Sequence, residues 1–483
     1  PPTAPSTPAP SAPGPSEPAG STSNCLAPPF VVSSDPSKHA YTTPKDITLT
    51  RQADANCFAW QEFISLGWVA SPTMRGQPDT SVPPSKFGTP LDTSESVWES
   101  YKEANEVFLP DAKNPGQWNS APGSSIKLLG GMKSELDPVP TLDLSEVGQA
   151  SQGHPWLTAQ NGLLTLYERR MNEDEFNYIV QNKLYDATVQ QTFVQSPGIN
   201  LPDGTASSAA YGSLGAIETK AAWIELPNQA DWPRFKTSWA MVQYPGQQQP
   251  KKVVVGLVGL HIIHKTALGQ QFIWATFEHR DNAPNREEVA SGALKSSYTY
   301  FNPKCDPATD YYKCTANANP VTYKGADKTN PYNAPIQVVR EVAIPSRPND
   351  DVVSLNQYVW NQLRAANPNS VYLNYQLVNT LWSNQNTPIP AGSHVPLFAG
   401  QLSPGPQQEP VANTVLETYV QNLTCLACHA SAPIATVKTP PTTLKVFDPA
   451  KYGTPAAAQN AYASDYSFLF ESAQTPKTSK SGR

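Results

Sequence analysis

Charged residues are scarce in this chain, and no cluster of Lys and Arg stands out. Only 15% of the 483 residues are charged, and the formal net charge is −6. A protein that binds the phosphates of nucleic acid needs concentrated positive charge on its surface. The composition therefore argues against a nucleic-acid-binding protein.

Long apolar runs are missing as well. The longest run, 253–263, contains Gly256, Gly259 and His261. It is shorter than the roughly 20 residues that span a bilayer. We therefore expect no transmembrane segment and interpret this run as a buried strand.

Proline and aromatic residues, by contrast, are abundant. The chain contains 50 Pro, 11 Trp, 20 Tyr and 15 Phe. That much proline excludes a fold of mainly long helices, whereas the aromatic content is sufficient for a sizeable core. Strand patterns occur in consecutive runs and do not alternate with helices. We therefore predict an α+β fold with a strand-rich, coil-rich body and short helices.

Composition divides the chain into four parts. Residues 1–24 are rich in Pro, Ala, Ser and Thr, which predicts a flexible tether. This leader could also act as a spacer that tethers the body to a membrane or cell surface. We expect a β-rich body over 25–400, a smaller segment packed on it over 401–472, and a flexible tail over 473–483.

Hydrophobic periodicity predicts individual elements within the body. The sequence Asn172-Glu173-Asp174-Glu175 is typical of a helix start, with Asn172 as the cap. The predicted helices lie within 57–71, 96–108, 172–184 and 353–366. The predicted strands are 221–226, 237–244, 252–264, 271–279 and 336–344. We expect 252–264 and 271–279 to form a hairpin, because a Gly-containing turn joins them.

One cysteine pair is followed directly by histidine, in Cys425-Leu426-Ala427-Cys428-His429. This Cys-x-x-Cys-His pattern is the attachment sequence of c-type haem. Two cysteines three apart on a helical turn can form thioethers with both vinyl groups of one porphyrin. We therefore predict one covalent haem c, bound by Cys425 and Cys428 on a short helix, with His429 as the proximal iron ligand.

Two other interpretations of the pair are a redox dithiol and half of a zinc site. A thioredoxin-like pair requires a βαβ context, and a zinc site requires further ligands close by in sequence. Neither pattern accompanies 425–428. The flanking sequence predicts a helix capped by Thr414 and Glu417 before the motif. The coil at 431–443 is expected to supply a carbonyl that orients His429.

The remaining four cysteines are consistent with an oxidising compartment. Cys305 and Cys314 bracket a short loop that a disulfide could close, and Cys25 and Cys57 could form a second one. The sequence alone leaves this connectivity open. Because cytochrome c maturation takes place outside the cytoplasm, we predict a periplasmic or extracellular location.

The C-terminal motif resembles that of c-type cytochromes, and the chain is similar to large single-haem bacterial proteins grouped as a cytochrome c family. The stretches that carry this resemblance are 175–186, 256–266, 272–282 and 424–430. The resemblance implies haem binding and export, without a defined reaction. In small soluble cytochromes c the motif is N-terminal and a Met ligand follows it, whereas here no Met or His follows His429.

Any sixth iron ligand from the protein must therefore precede the motif. His261 is our first candidate, because it follows an apolar strand, His264 is the second and Met74 the third. The odd spacing places His261 and His264 on opposite faces of their strand. If His264 pairs with Phe272, it shares a face with Trp274, and a shift of one residue reverses this assignment. Each histidine could equally be structural.

We predict electron transfer to an unidentified redox partner protein. The alternative is a haem enzyme of peroxidase or oxygenase type with an open distal site, in which Arg75 or Arg280 could stabilise developing charge. A third possibility is a surface or interaction protein, in which the haem is a structural or sensing element and the Pro-rich tether serves for display. The sequence identifies no catalytic residue.

Overall fold

A mainly antiparallel eight-stranded sheet forms the centre of the molecule. The structure is a computed structural model. It describes residues 39–46, 49–120, 127–129, 156–244, 249–319, 334–383, 387–397, 410–437 and 461–477. Short helices, this sheet and much coil confirm the predicted α+β class. The predicted tether, 1–24, lies outside the described residues.

The sheet is built around one long strand. Its members are β1 (Lys102–Glu103), β2 (Lys127–Leu129), β3 (Thr165–Met171), β4 (Ile217–Glu225), β5 (Thr237–Val242), β6 (Lys251–His264), β7 (Ile273–His279) and β10 (Tyr375–Trp382). One edge of β6 pairs with β4, followed by β3 and β1. The other edge pairs with β5 along its first half and with β7 along its second half. Strand β2 extends β5 in parallel, and β10 extends β7.

The helices in the described residues are short. They are α1 (Gln52–Leu66), α2 (Ala104–Val107), α3 (Glu173–Gln181), α4 (Ala187–Phe193), α5 (Arg286–Ser291), α6 (Tyr311–Cys314), α7 (Val352–Ala366) and α8 (Cys425–His429). A separate two-stranded ribbon pairs β8 (Ser346–Arg347) with β9 (Asp350–Asp351). The cap of α3 is as predicted, because the Asn172 side chain accepts a hydrogen bond from the Glu175 amide at 3.2 Å.

The two faces of the sheet have different coverings. One face, the α1 face, packs against α1, where Phe63 stacks on Phe277 of β7 with ring centroids 4.2 Å apart. The opposite face, the α8 face, carries Trp274, which contacts His429 of α8 with ring centroids 4.4 Å apart. A residue's place on β6 or β7 therefore decides whether it faces the core helix or the Cys-x-x-Cys-His motif.

The predicted hairpin of β6 and β7 is confirmed. Its register is shifted by one residue from the pairing of His264 with Phe272. His264 pairs with Ile273 and His261 pairs with Thr276. Residues paired across an antiparallel ladder point to the same side. His261 therefore shares the α8 face with Trp274, and His264 shares the α1 face with His279.

Two sequence predictions were wrong and one was right only in part. Residues 336–344 form no strand, because the amides of Ile336, Val338 and Arg340 donate to three different loops. The segment before α8 consists of turns, and no helix forms there. Instead of one helix, 96–108 contains a 3-10 turn, β1 and α2.

Candidate functional site

Helix α8 brings the two thiols of the motif onto one side of a single turn. The hydroxyl of Thr424 caps the helix by accepting a hydrogen bond from the Ala427 amide at 3.1 Å, and Leu426 is buried beneath it. At 3.6 residues per turn, Cys425 and Cys428 face the same direction. Both are half-buried and neither is in a disulfide.

The ring of His429 is oriented by a backbone carbonyl. Its Nδ1 donates a hydrogen bond to the carbonyl of Tyr466 at 2.7 Å. Trp274 and Phe468 contact the ring at centroid distances of 4.4 and 5.0 Å. Burial lowers the pKa of His429 to about 4, so the imidazole is neutral near pH 7. A neutral ring that donates through Nδ1 presents Nε2 as an acceptor, which is the form that binds iron.

The orienting carbonyl does not come from the predicted segment. The coil at 431–437 is described, but the contact is made by Tyr466, beyond the undescribed residues 438–460. The spacing of the motif gives no reason to select Tyr466 over other residues that follow α8 in the sequence. Trp274 was part of a predicted strand, but its contact with His429 follows only from the observed register.

Three charged or titratable side chains lie near His429 on the α8 face. Lys220 of β4 pairs in register with His261 of β6. The Nε2 of His261 lies 2.8 Å from the Glu417 carboxylate. Lys220 and His261 lower the pKa of His429 and Glu417 raises it. Of the candidate sixth ligands, His261 is therefore the one that lies near His429 on the α8 face.

The segment before α8 is anchored to β7 by buried polar contacts. The Glu278 carboxylate accepts hydrogen bonds from the Thr414 amide at 3.0 Å and the Thr414 hydroxyl at 2.7 Å. The same carboxylate forms a buried ion pair with Arg340. Asn413 donates to Thr276 at 3.0 Å. These contacts fix the approach of the chain to α8, and the sequence did not predict them.

The position of His264 removes it as an iron-ligand candidate. It is fully buried on the α1 face, with Nδ1 2.6 Å from the Glu62 carboxylate and Nε2 2.8 Å from the Leu214 carbonyl. Both ring nitrogens are therefore engaged. It stacks on Phe58 of α1 and has a structural role.

Met74 is also a poor candidate in this structure. The residue is 57% exposed, and its amide donates to the Ser71 hydroxyl in a surface turn. The neighbouring Arg75 contacts the carbonyls of Ser100 and Ser120. This turn therefore packs on the region around β1, and none of its described contacts reaches α8.

The cysteine predictions have separate outcomes. Cys305 and Cys314 form the predicted disulfide, with Cα atoms 5.4 Å apart. Cys57 is buried in α1, whereas Cys25 lies outside the described residues.

Burial raises the pKa of the Cys425 thiol, and a redox dithiol requires the opposite shift. Among the described residues, no three His, Cys, Asp or Glu side chains are grouped to hold a metal ion.

A pair of buried carboxyl groups lies beneath the segment that contacts His429. The carboxyl groups of Glu175 of α3 and Glu218 of β4 interact with each other, and Ser467 lies beside Glu218. Burial raises the pKa of Glu175 well above its usual range, and Glu218 and Asp465 raise it further. Burial raises the pKa of Glu218 to about 7, although Arg169 opposes this rise. The pair therefore holds a proton in the folded protein.

This pair predicts that stability falls as the pH rises. A carboxyl group with a higher pKa in the folded than in the unfolded chain binds its proton more tightly when folded. The free energy of unfolding therefore decreases between about pH 4.5 and 7, by up to about 1.4 kcal/mol per pH unit for one proton. Glu175→Gln should remove this loss, so we expect its free energy of unfolding to exceed that of the wild type by up to about 3 kcal/mol at pH 8 and to be close to it at pH 5.

Urea unfolding at both pH values measures this difference. Glu287→Gln is the control, because Glu287 also lies in the first turn of a helix, α5, but is exposed. Equal stabilities of wild type and Glu175→Gln at pH 8 would contradict a shared proton.

The donor groups of the motif fit a covalent haem. Two thiols lie on one side of a helical turn, and the next residue is a neutral imidazole held through Nδ1.

Within the described residues, no helix has the length and hydrophobicity needed to cross a membrane. In comparisons with protein-family models, curated proteins and solved structures, the chain matches none. Its function must therefore be inferred from the chemistry of its own residues.

Proposed function

We propose that this chain is an exported single-haem c-type cytochrome that transfers electrons. Cys425 and Cys428 would attach the haem, and His429 would be the proximal iron ligand. The observation that carries the proposal is the 2.7 Å hydrogen bond from His429 Nδ1 to the Tyr466 carbonyl, within a Cys-x-x-Cys-His sequence. When bound, the haem supplies a one-electron iron couple.

The surrounding residues have defined roles in this proposal. The Tyr466 carbonyl orients the imidazole of His429 and increases its basicity. Trp274 and Phe468 pack against the ring. His261 is the proposed sixth ligand, held in place by the Glu417 carboxylate. Two strong protein ligands would favour electron transfer with little rearrangement.

The proposed location is the periplasm or the cell exterior. The Cys305–Cys314 disulfide is compatible with an oxidising compartment, and thioether attachment of haem takes place there. The redox partner is a protein of unknown identity. With a net charge of −6, the chain favours a partner with a basic surface.

The alternative of a peroxidase or oxygenase receives less support from the arginines. Arg75 contacts two backbone carbonyls and lies over Trp118 at 5.7 Å. Arg280 lies over Trp360 at 3.9 Å. Both arginines are thus engaged in other parts of the structure, so neither is placed to stabilise charge beside α8.

An optical spectrum of the purified holoprotein separates the two functions. We expect sharp α and β bands after reduction with dithionite and no change on addition of carbon monoxide, because His429 and His261 would both hold the iron. Ready binding of carbon monoxide by a high-spin iron would support the enzyme, and peroxide turnover would then be assayed. A protein matured in a host that attaches haem, but lacking a Soret band, would contradict haem binding itself.

The variant His261→Ala tests the sixth ligand in the same assay. We expect it to convert the iron to a high-spin form that binds carbon monoxide. His394→Ala is the control, because His394 is exposed and stacks on Tyr462. Identical spectra of His261→Ala and the wild type would exclude His261 as a ligand.

A further inference from the structure

A tight turn over Ser464–Ser467 carries the carbonyl that bonds His429. The Ser467 amide donates to the Ser464 carbonyl at 3.2 Å, and the central residues Asp465 and Tyr466 have φ angles of 55° and 67°. Two successive positive φ angles are the feature of a type I′ turn, which Gly, Asn and Asp favour. A tyrosine in such a conformation is strained, so contacts outside the turn must maintain it.

A buried ion pair connects this turn to the central strand. The Nζ of Lys265 lies 2.5 Å from Oδ2 of Asp465, and both side chains are fully buried. Lys265 directly follows β6 and also donates to Asn200 at 2.7 Å. Asp465 accepts a second hydrogen bond, from the Leu201 amide at 2.8 Å. The first central residue of the turn is therefore attached to the rigid end of the sheet.

The turn is also joined to the chain that leaves α8. The amide and the hydroxyl of Ser464 both donate to the Ala432 carbonyl, at 3.1 and 2.9 Å. Ala432 in turn donates its amide to the His429 carbonyl at 3.1 Å. One side of the turn is thus held by β6 and the other by α8, with the Tyr466 carbonyl between them.

We propose that Lys265 and Asp465 are positioning residues for His429. Their buried ion pair holds the strained turn in the conformation that directs the Tyr466 carbonyl at Nδ1. This inference rests on the proposed haem function. In that role the pair determines the orientation and basicity of the iron ligand, and therefore the reduction potential.

The test is the double variant Lys265→Met/Asp465→Asn, prepared as the holoprotein and titrated spectroscopically. It removes one charge of each sign, so the net charge does not change. A loosened Nδ1 hydrogen bond makes the imidazole a weaker donor to ferric iron. We expect the oxidation equilibrium to shift about tenfold toward the reduced form, a rise of about 59 mV for one electron.

A second buried ion pair provides the matched control. Arg170 and Glu168 of β3 lie 2.7 Å apart on the α1 face, so Glu168→Gln/Arg170→Met should leave the potential unchanged. An unchanged potential in the Lys265/Asp465 variant, with haem still attached, would overturn the positioning role and leave the proposed function intact. Absence of haem from the wild type would instead overturn the proposed function.

A single variant decides the question if the double variant does not fold. Lys265→Met removes one positive charge, and this electrostatic change alone lowers the potential. Loss of positioning raises it. A rise in the Lys265→Met holoprotein therefore supports the inference, and a fall or an unchanged value contradicts it.

Discussion

The double variant Cys425→Ala/Cys428→Ala should lose all covalently attached haem. Thioether attachment requires both thiols, and in this structure they lie on the same side of the single turn of α8. After expression with a cytochrome c maturation system, a haem stain on a denaturing gel should detect the wild type and not the variant. This is the largest effect that we expect, because it is all or none.

The control for this experiment is another pair of cysteines. Cys305→Ala/Cys314→Ala removes a disulfide outside the motif and should leave the haem stain unchanged. Equal staining of the wild type and the Cys425/Cys428 variant would show that the motif does not attach haem. A stain lost from both double variants would indicate failed maturation in an unfolded chain, which the yield of soluble protein would reveal.

Arg340→Met should destabilise the folded protein by about 3–5 kcal/mol. It would leave the Glu278 carboxylate buried and without its cation, and such a charge costs several kcal/mol in a low-dielectric interior. Arg340 also donates to the Ala412 carbonyl at 3.1 Å, so the same change loosens the segment before α8. Urea unfolding of wild type and variant at one pH measures the difference.

Two further variants make this second experiment interpretable. Arg286→Met removes an exposed ion pair with Glu341 and should change the free energy of unfolding by less than about 1 kcal/mol. Glu278→Gln/Arg340→Met should recover part of the loss, because it leaves no buried charge uncompensated. If Arg340→Met were as stable as Arg286→Met, the Glu278–Arg340 pair would not anchor the segment.

Elements with a strong local signal could be predicted from the sequence. The helix after Asn172 has a cap, three acids in its first turn and one apolar face. Helix α7 occupies 352–366, close to the predicted 353–366. The sequence pattern also predicts strands β4 to β7 and the β6–β7 hairpin, because apolar runs and a Gly-containing turn delimit them. In each case nearby residues suffice to determine the backbone conformation.

Elements whose partners are distant could not be predicted in this way. Residues 336–344 have a strand-like pattern but hydrogen-bond to three loops. The segment 414–417 has the residues of a capping box, yet Glu278 and Thr276 of β7 bind Thr414 and Asn413 in a turn instead. Tertiary hydrogen bonds to buried groups outweigh the small free energy of a helix cap.

The sequence by itself determined the α+β class, the Cys425–His429 motif and the opposite facing of His261 and His264, whereas it left the Cys305–Cys314 pairing open. These follow from spacing along a regular backbone. Only the tertiary structure decided the register that places His261 on the face of Trp274, and the contact between Tyr466 and His429, 37 residues apart. The physical reason is that a one-residue shift reverses every side chain of a strand, and long-range packing alone selects between the two arrangements.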